Sequence, residues 1–412
     1  MENGIREPPD LPLEILLDIF SRADLVTVVR CAAASKLLRR HITDPSFRRR
    51  LRNHAVEGFV PALLVGIFFH HIDEARCFVT LARPSANKLT LSLAPANGGD
   101  GGPYTFRPVA SRAGLVVLSR NRVRVRDATG ALEIEDLCVG SPVTGHYAFL
   151  PPAAVYGRGY SHVLLAGGEE DDAGTGRSSS SSFRLLVLGD AWPRKPTQIF
   201  SSRTGVWGPV TEPFASLDLP KRSGIARYSA VVLRGVVAHW LYYVDSLSPP
   251  RGYGVLTVDA GTGVAAAVEI PPHCLRWRRH EVTEELLLAR SAEGRLALLV
   301  AESLGIAMWT LSDDGGTASW ARRLVVDRAG ILGSAKLQYG PLGCVGTQLD
   351  WFGEASGTVL FQVNGAGTLL LNLHTREVSQ FSQGKVINRT LSLSCCPYEM
   401  DPASVLAAMK SF

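Results

Sequence analysis

Residues that build disulfide frameworks or metal sites are scarce and badly placed for either. The 412-residue chain has seven cysteines, at positions 31, 77, 138, 274, 344, 395 and 396. The number is odd and no Cys-x-x-Cys pair occurs, which argues against both a disulfide scaffold and a zinc site. Adjacent Cys395 and Cys396 would point in different directions on a strand or a helix, so they do not chelate as a pair. Long apolar runs are missing too. The longest, Phe59 to Phe69, falls far short of the ~20 residues that span a bilayer. Met1 to Asp10 is polar and proline-bearing, unlike a secretory leader. Reduced thiols, no leader and no span suit a cytoplasmic and/or nuclear protein with no membrane partner. The sequon at Asn388 would then go unused. A strong excess of one charge is also lacking. With 43 basic and 38 acidic residues the net charge is +5, too little to argue for nucleic acid as a partner. The single basic cluster, Arg48, Arg49, Arg50 and Arg52, reads as a solvated helix face.

Catalytic signatures are absent as well. The chain contains no G-x-S-x-G, no G-x-x-x-x-G-K-[ST], no H-E-x-x-H and no EF-hand loop. The Gly98 to Gly102 stretch holds Asp100 and precedes Pro103, which makes it a loop and not a phosphate cradle. His70 and His71 stand beside Asp73 and Glu74, but neighbouring histidines on a strand face opposite sides and do not converge on a metal. Glu169, Glu170, Asp171 and Asp172 sit in a solvated tract that cannot supply the rigid placement acid–base chemistry needs. The expectation is a non-catalytic protein with no cofactor and no metal.

What is present is a globular composition, 46% hydrophobic and 20% charged, with 40 glycines and 24 prolines. That many turn residues implies many short strands. The first fifty residues differ from the rest. After Pro8-Pro9-Asp10-Leu11-Pro12, residues 13–20 place Ile15, Leu16, Ile19 and Phe20 on one side and Glu14 and Asp18 on the other, as an amphipathic helix does. Ser21 to Asp24 interrupts the pattern. Asp24 can cap a second helix from Leu25 to about Ala34, with Leu25, Val28, Val29 and Ala32 on one side. Ser35 to Ile42 reads as a third helix. Asp44-Pro45 reads as the cap and first turn of a fourth, with Phe47 and Leu51 as its apolar contacts. So few short helices make a marginal core, one more plausible if a partner covers part of its apolar surface.

The landmarks Leu11-Pro12, Glu14-Ile15-Leu16-Leu17-Asp18-Ile19-Phe20, Leu25, Val29-Arg30-Cys31, Ser35-Lys36-x-Leu38-Arg39 and Ile42-x-Asp44-Pro45-x-Phe47 resemble the F-box. Two departures stand out: Ala23-Asp24 is shorter than the usual Leu-Pro-x-x-x before Leu25, and Leu38 stands where many F-boxes have tryptophan. The resemblance implies a helical domain over residues 1–55 that docks on a Skp-type adaptor through Leu11, Pro12, Ile15, Leu16, Ile19, Phe20, Leu25 and Val29.

From about Phe59 onward, short apolar runs recur between Gly, Pro, Asp and Ser: residues 115–118, 163–165, 185–188, 231–233, 296–299 and 358–361. Segments such as 254–272, 294–311 and 357–375 share a grammar of strand, Gly-containing turn and strand. Degenerate units of roughly 40–50 residues point to a β-propeller of about six to eight blades over residues 56–400. Trp207, Trp240, Trp309 and Trp320 each close such a module and read as packing residues. Residues 167–182, acidic and then serine-rich, read as a flexible loop. The segments around 109–118, 139–152, 198–208, 231–244 and 308–327 resemble the F-box-associated half of a plant F-box group, which implies a propeller-like domain in an α+β multidomain chain: a small all-α F-box followed by a large all-β part. On this reading the chain is the substrate-receptor subunit of an SCF-type cullin-RING ubiquitin ligase, holding an unknown target protein near the conjugating enzyme. The alternatives are a propeller that binds carbohydrate or peptide without a ligase role, and a propeller hydrolase.

Overall fold

Helices occupy the first part of the chain and strands almost everything after it. The computed structural model describes residues 12–23, 25–44, 46–47, 58–71, 76–80, 106–127, 130–142, 146–155, 159–165, 182–191, 194–220, 223–244, 252–271, 274, 285–313, 318–334, 346–363, 366–381 and 395–400. The chain divides into two compact units, Met1–Glu57 with Asp401–Phe412, and Gly58–Met400.

In the first unit, α1 spans Leu13–Arg22, α2 Leu25–Ala34 and α3 Lys36–Ile42. Helix α1 runs two residues past Phe20 because the Ser21 hydroxyl donates to the Asp18 carbonyl, 2.8 Å away, one turn back along the helix. Ser35 is the N-cap of α3 rather than its first residue, and its side chain accepts from the Leu38 N–H. Asp44 accepts from the Ser46 N–H at 2.8 Å, as a cap ahead of Pro45 should. Phe20, Val28, Ala32, Ile42 and Phe47 form the core, with Leu16, Leu17, Cys31 and Leu38 packed around it.

The second unit is a propeller arrangement. Its five four-stranded antiparallel blades are β3–β6 (Arg107–Arg112, Leu115–Asp127, Gly130–Ser141, His146–Phe149), β7–β10 (Tyr160–Leu165, Arg184–Gly189, Thr197–Ser201, Val206–Trp207), β11–β14 (Ser223–Leu233, Val237–Val244, Gly252–Asp259, Ala265–Glu269), β15–β18 (Leu286–Arg290, Leu296–Glu302, Gly305–Asp313, Ala318–Asp327) and β19–β22 (Thr347–Phe352, Thr358–Val363, Gly367–Asn372, Val378–Gln380). A further sheet, in the order β2-β1-β23, joins β1 (Leu64–His71) and β2 (Arg76–Thr80) to the last strand, β23 (Cys395–Glu399). The first strand of each blade packs on the first strand of the next, and β23 packs on both β19 and β3. The ring is therefore closed by strands from opposite ends of the unit. Helix is limited here to α4 (Arg328–Ser334) and one 3-10 turn, Pro61–Leu63.

Burial falls off outward along each blade. Second strands such as β8 and β16 are buried at nearly every position, because each blade is covered on both faces by its neighbours. Outer strands such as β6 and β14 are largely exposed. This is why the apolar runs were continuous rather than alternating. The hairpins repeat one turn: the N–H groups of Gly205, Gly263 and Arg376 donate to the carbonyls of Ser201, Asp259 and Asn372 at 2.8–2.9 Å. The donor residue has φ of 72°, 74° and 62° in turn, which glycine adopts freely and Arg376 only with strain.

The tryptophans pack in two ways. Trp240 and Trp309 are buried. Trp207 and Trp320, on the outer strands of their blades, donate Nε1–H to the carbonyls of Pro151 (2.7 Å) and Glu269 (3.1 Å), both at the outer strand of the preceding blade. The acidic, serine-rich segment, the Arg48–Arg52 cluster and the Gly98–Gly102 loop lie outside the described residues.

Candidate docking face on the helical unit

Pro12 leads into α1 with extended backbone, φ −52° and ψ 139°. Its carbonyl accepts the Ile15 and Leu16 N–H groups at 3.0 and 3.2 Å, so proline starts the helix without a side-chain cap. Glu14 in the first turn suits the helix dipole. The apolar side of α1 splits into two strips. Phe20 is buried and Leu16 half-buried against the core, whereas Ile15 and Ile19, one turn apart, are 48% and 49% exposed. Pro12 is exposed as well. Of the residues the F-box resemblance points to, Pro12, Ile15 and Ile19 form an outward surface, while Leu16 and Phe20 hold the helix to its own core. Leu11 and the side chains of Leu25 and Val29 lie outside the described residues.

A second exposed feature, which periodicity did not single out, is on α3. Leu37 is 61% exposed, with exposed Lys36 and Arg40 beside it on the helix. Arg39 is committed inward: its Nε donates to the Ala32 carbonyl at 2.9 Å, satisfying the C-terminal end of α2.

In the propeller, the titratable groups are built into the ring. Arg112, at the end of β3, reaches Glu354 Oε2 at 3.1 Å. Glu354 Oε1 accepts the Val232 N–H from β11 at 2.8 Å. Arg290, at the end of β15, donates to the carbonyls of Glu354 (2.6 Å) and Gly58 (3.2 Å). Glu399, on closing strand β23, accepts the N–H groups of Ala355 (3.0 Å) and Ser356 (2.8 Å). Burial raises the Glu399 carboxyl above its ordinary pKa, against the opposing pull of its hydrogen bonds, and the neighbouring Glu354 charge adds to the rise. A cavity of ≈ 30 Å³ beside this hub, lined in part by Ala110, Arg112, His162, Trp351 and Glu354, has room for about two waters. Between the first two blades, His162 Nε2 lies 2.8 Å from Glu135 Oε2, with both side chains buried. For Glu135, burial pushes the pKa up, but His162, Ser119 and Arg107 together hold it below the ordinary value.

None of these groups resembles a reaction centre. Burial raises the Cys138 and Cys274 thiols to about 11 and about 12, leaving them protonated and poorly nucleophilic. Burial lowers His239 to about 4. Among the described residues no cluster of His, Cys, Asp and Glu could hold a metal, and no helix is long and apolar enough to cross a membrane. His70 and His71 do lie on a strand, opposite Cys77 and Arg76 of β2.

Comparison with known proteins agrees with this division. A family model described as F-box-like matches residues 8–54, and one described as a domain of unknown function, DUF7595, matches residues 96–412. The second match spans well over half of the chain, and the chain belongs to that family. No curated protein matches. Among solved structures the chain is similar to an α-L-arabinanase of Penicillium chrysogenum complexed with arabinobiose, at 10% identity and TM-score 0.38, covering 77% of this chain and 95% of that one. It is also similar to the Dos1 propeller, at 10% identity and TM-score 0.30, covering 69% and 68%. A prolyl endopeptidase matches at 13% identity and TM-score 0.33, covering 94% and 58%. Scores this low carry no inference about activity.

Proposed function

We propose that this F-box-like protein is the substrate-receptor subunit of an SCF-type ubiquitin ligase. Its helical unit, taken as residues 1–55, docks on a Skp-type adaptor, and its propeller unit, residues 56–400, recruits a target protein. The chain contributes proximity and no catalytic group. The observation that carries this is the pair Ile15 and Ile19, about half exposed beside Pro12 on a helix whose opposite strip already fills a small core. A marginal helical unit that leaves two isoleucines in water is suited to a partner that covers them. Full burial of such a side chain is worth ~1.5–3 kcal/mol, so covering two half-exposed isoleucines contributes roughly 2–3 kcal/mol. Ile15→Ala with Ile19→Ala should therefore weaken adaptor binding about 30- to 100-fold, and Leu11→Ala with Pro12→Ala at least tenfold. Both are read by titrating full-length protein against the adaptor, with circular dichroism as a check on folding. Wild-type affinity in folded variants would refute the proposal.

A further inference from the structure

The exposed surface of α3 carries charge that nothing in its own unit neutralises. Residues 25–42, which span α2 and α3, contain Arg30, Lys36, Arg39 and Arg40 and not one carboxylate. Arg39 is engaged with the Ala32 carbonyl. Arg30, Lys36 and Arg40 are exposed and have no ion-pair partner among the described residues. Lys36 and Arg40 are one turn apart on α3, and Leu37, 61% exposed, is flanked by both. The acidic side chains of the unit's described residues stand elsewhere, Glu14 and Asp18 on α1 and Asp44 after α3.

We infer that the α3 surface is a second contact of the docking face, one that takes an acidic protein surface with an apolar seat for Leu37. This rests on the adaptor reading above and adds the chemistry of the partner. An exposed leucine inside a basic rim is the form of a protein contact, in which an apolar anchor is excluded from water by charged neighbours. A nucleic-acid backbone would use the charges and leave the leucine without a role. Rim charges act mainly on the association rate, through long-range attraction that salt screens. Apolar anchors act mainly on dissociation. The two parts of the face are therefore separable by kinetics.

The experiment measures association and dissociation rates of the full-length protein with a Skp-type adaptor from 50 to 500 mM NaCl. The variants are Lys36→Glu with Arg40→Glu, Lys36→Gln with Arg40→Gln, Leu37→Ala, and Ile15→Ala with Ile19→Ala. The glutamine pair keeps strong helix formers at both positions, so it reports on charge even if the reversal disturbs α3. The expected result is an association rate that falls about tenfold at low salt in the reversal variant, with a flatter salt dependence in both charge variants. Leu37→Ala should dissociate severalfold faster. The Ile15/Ile19 variant should dissociate faster while keeping the wild-type salt dependence. Adaptor binding that is independent of salt and unchanged in both charge variants would overturn the inference and leave the adaptor reading standing. Wild-type protein that does not bind the adaptor would overturn both. Charge variants that lose affinity for a single-stranded oligonucleotide but not for the adaptor would mark the surface as a nucleic-acid contact, and the inference would be wrong.

Discussion

Glu399 offers a sharp test of how the propeller ring is held shut. It lies on the last strand of the unit and is 8% exposed. Both its oxygens accept backbone N–H groups, from Ala355 and Ser356. Replacing it with alanine strands two buried donors, each worth ~1–3 kcal/mol. The expected loss is about 2–6 kcal/mol, read as a lowered midpoint in urea. Glutamine is the more informative change. Burial raises the Glu399 pKa above the reference value of 4.5, so the folded chain keeps a proton that the unfolded chain releases. The sign follows directly. The contribution is full below pH ~4.5 and shrinks as pH rises through the raised folded value, by ~1.4 kcal/mol for each pH unit between the two. A carboxamide has nearly the shape of a protonated carboxyl and does not titrate. Glu399→Gln should therefore cost little at pH 5 and become progressively less costly, or stabilising, relative to wild type toward pH 8. A stability difference that is flat with pH, or that grows against glutamine as pH rises, would refute the reasoning. It would mean that the two N–H donors and Arg290 keep the carboxylate ionised.

Other changes test separate parts of the structure. Glu135 has the opposite sign: its lowered pKa gives stability that is present above pH ~4.5 and lost as pH falls through the folded value, so Glu135→Gln should flatten acid unfolding measured by intrinsic fluorescence. Gly305, at φ 142°, would bring an added Cβ to 2.1 Å from the Val326 carbonyl oxygen. Gly305→Ala should force β17 and β18 apart and lower Tm by several degrees, and an unchanged Tm would show that the hairpin can shift. Trp320→Phe removes the donor to the Glu269 carbonyl and should cost about 1 kcal/mol in chemical denaturation.

Local features were legible from the chain wherever short-range physics decides them. The boundaries of α2, the cap at Asp44 and the strands at residues 115–118, 185–188 and 296–299 follow from spacing and turn chemistry. Helix α4 was not anticipated, because Arg-Ala-Gly-Ile-Leu-Gly-Ser carries two glycines that disfavour helix. Tertiary packing overrides that preference: Ile331 and Leu332 are each 4% exposed, and Asp327 Oδ1 accepts the Gly330 N–H at 2.7 Å. The blade number was less readable. Six to eight blades were expected from unit length, and the structure has five four-stranded blades with a three-stranded closing sheet. That sheet pairs Ile67 with Pro397 and Phe68 with Cys396, partners some 330 residues apart that no local repeat can reveal.

The same distance in sequence hid the charged hub and half-hid the docking face. Arg112, Arg290, Glu354 and Glu399 come together because the ends of inner strands converge at the ring, and each looks ordinary among its own neighbours in the chain. On α1, periodicity placed Ile15, Leu16, Ile19 and Phe20 on one side, as they are, but a helical stripe that wide can face two environments. Only the packing of Phe20 and Leu16 against Val28, Ala32 and Ile42 decides which half is left for a partner. The two units thus use charge in opposite ways. The hub of the propeller pairs its charges within the ring, so it holds blades together and offers little to a ligand. On α3 of the helical unit, Lys36 and Arg40 stay unpaired beside an exposed leucine. Internal pairing marks a structural role and unpaired exposure marks a docking role, which is why adaptor binding should depend on salt while blade closure should depend on pH.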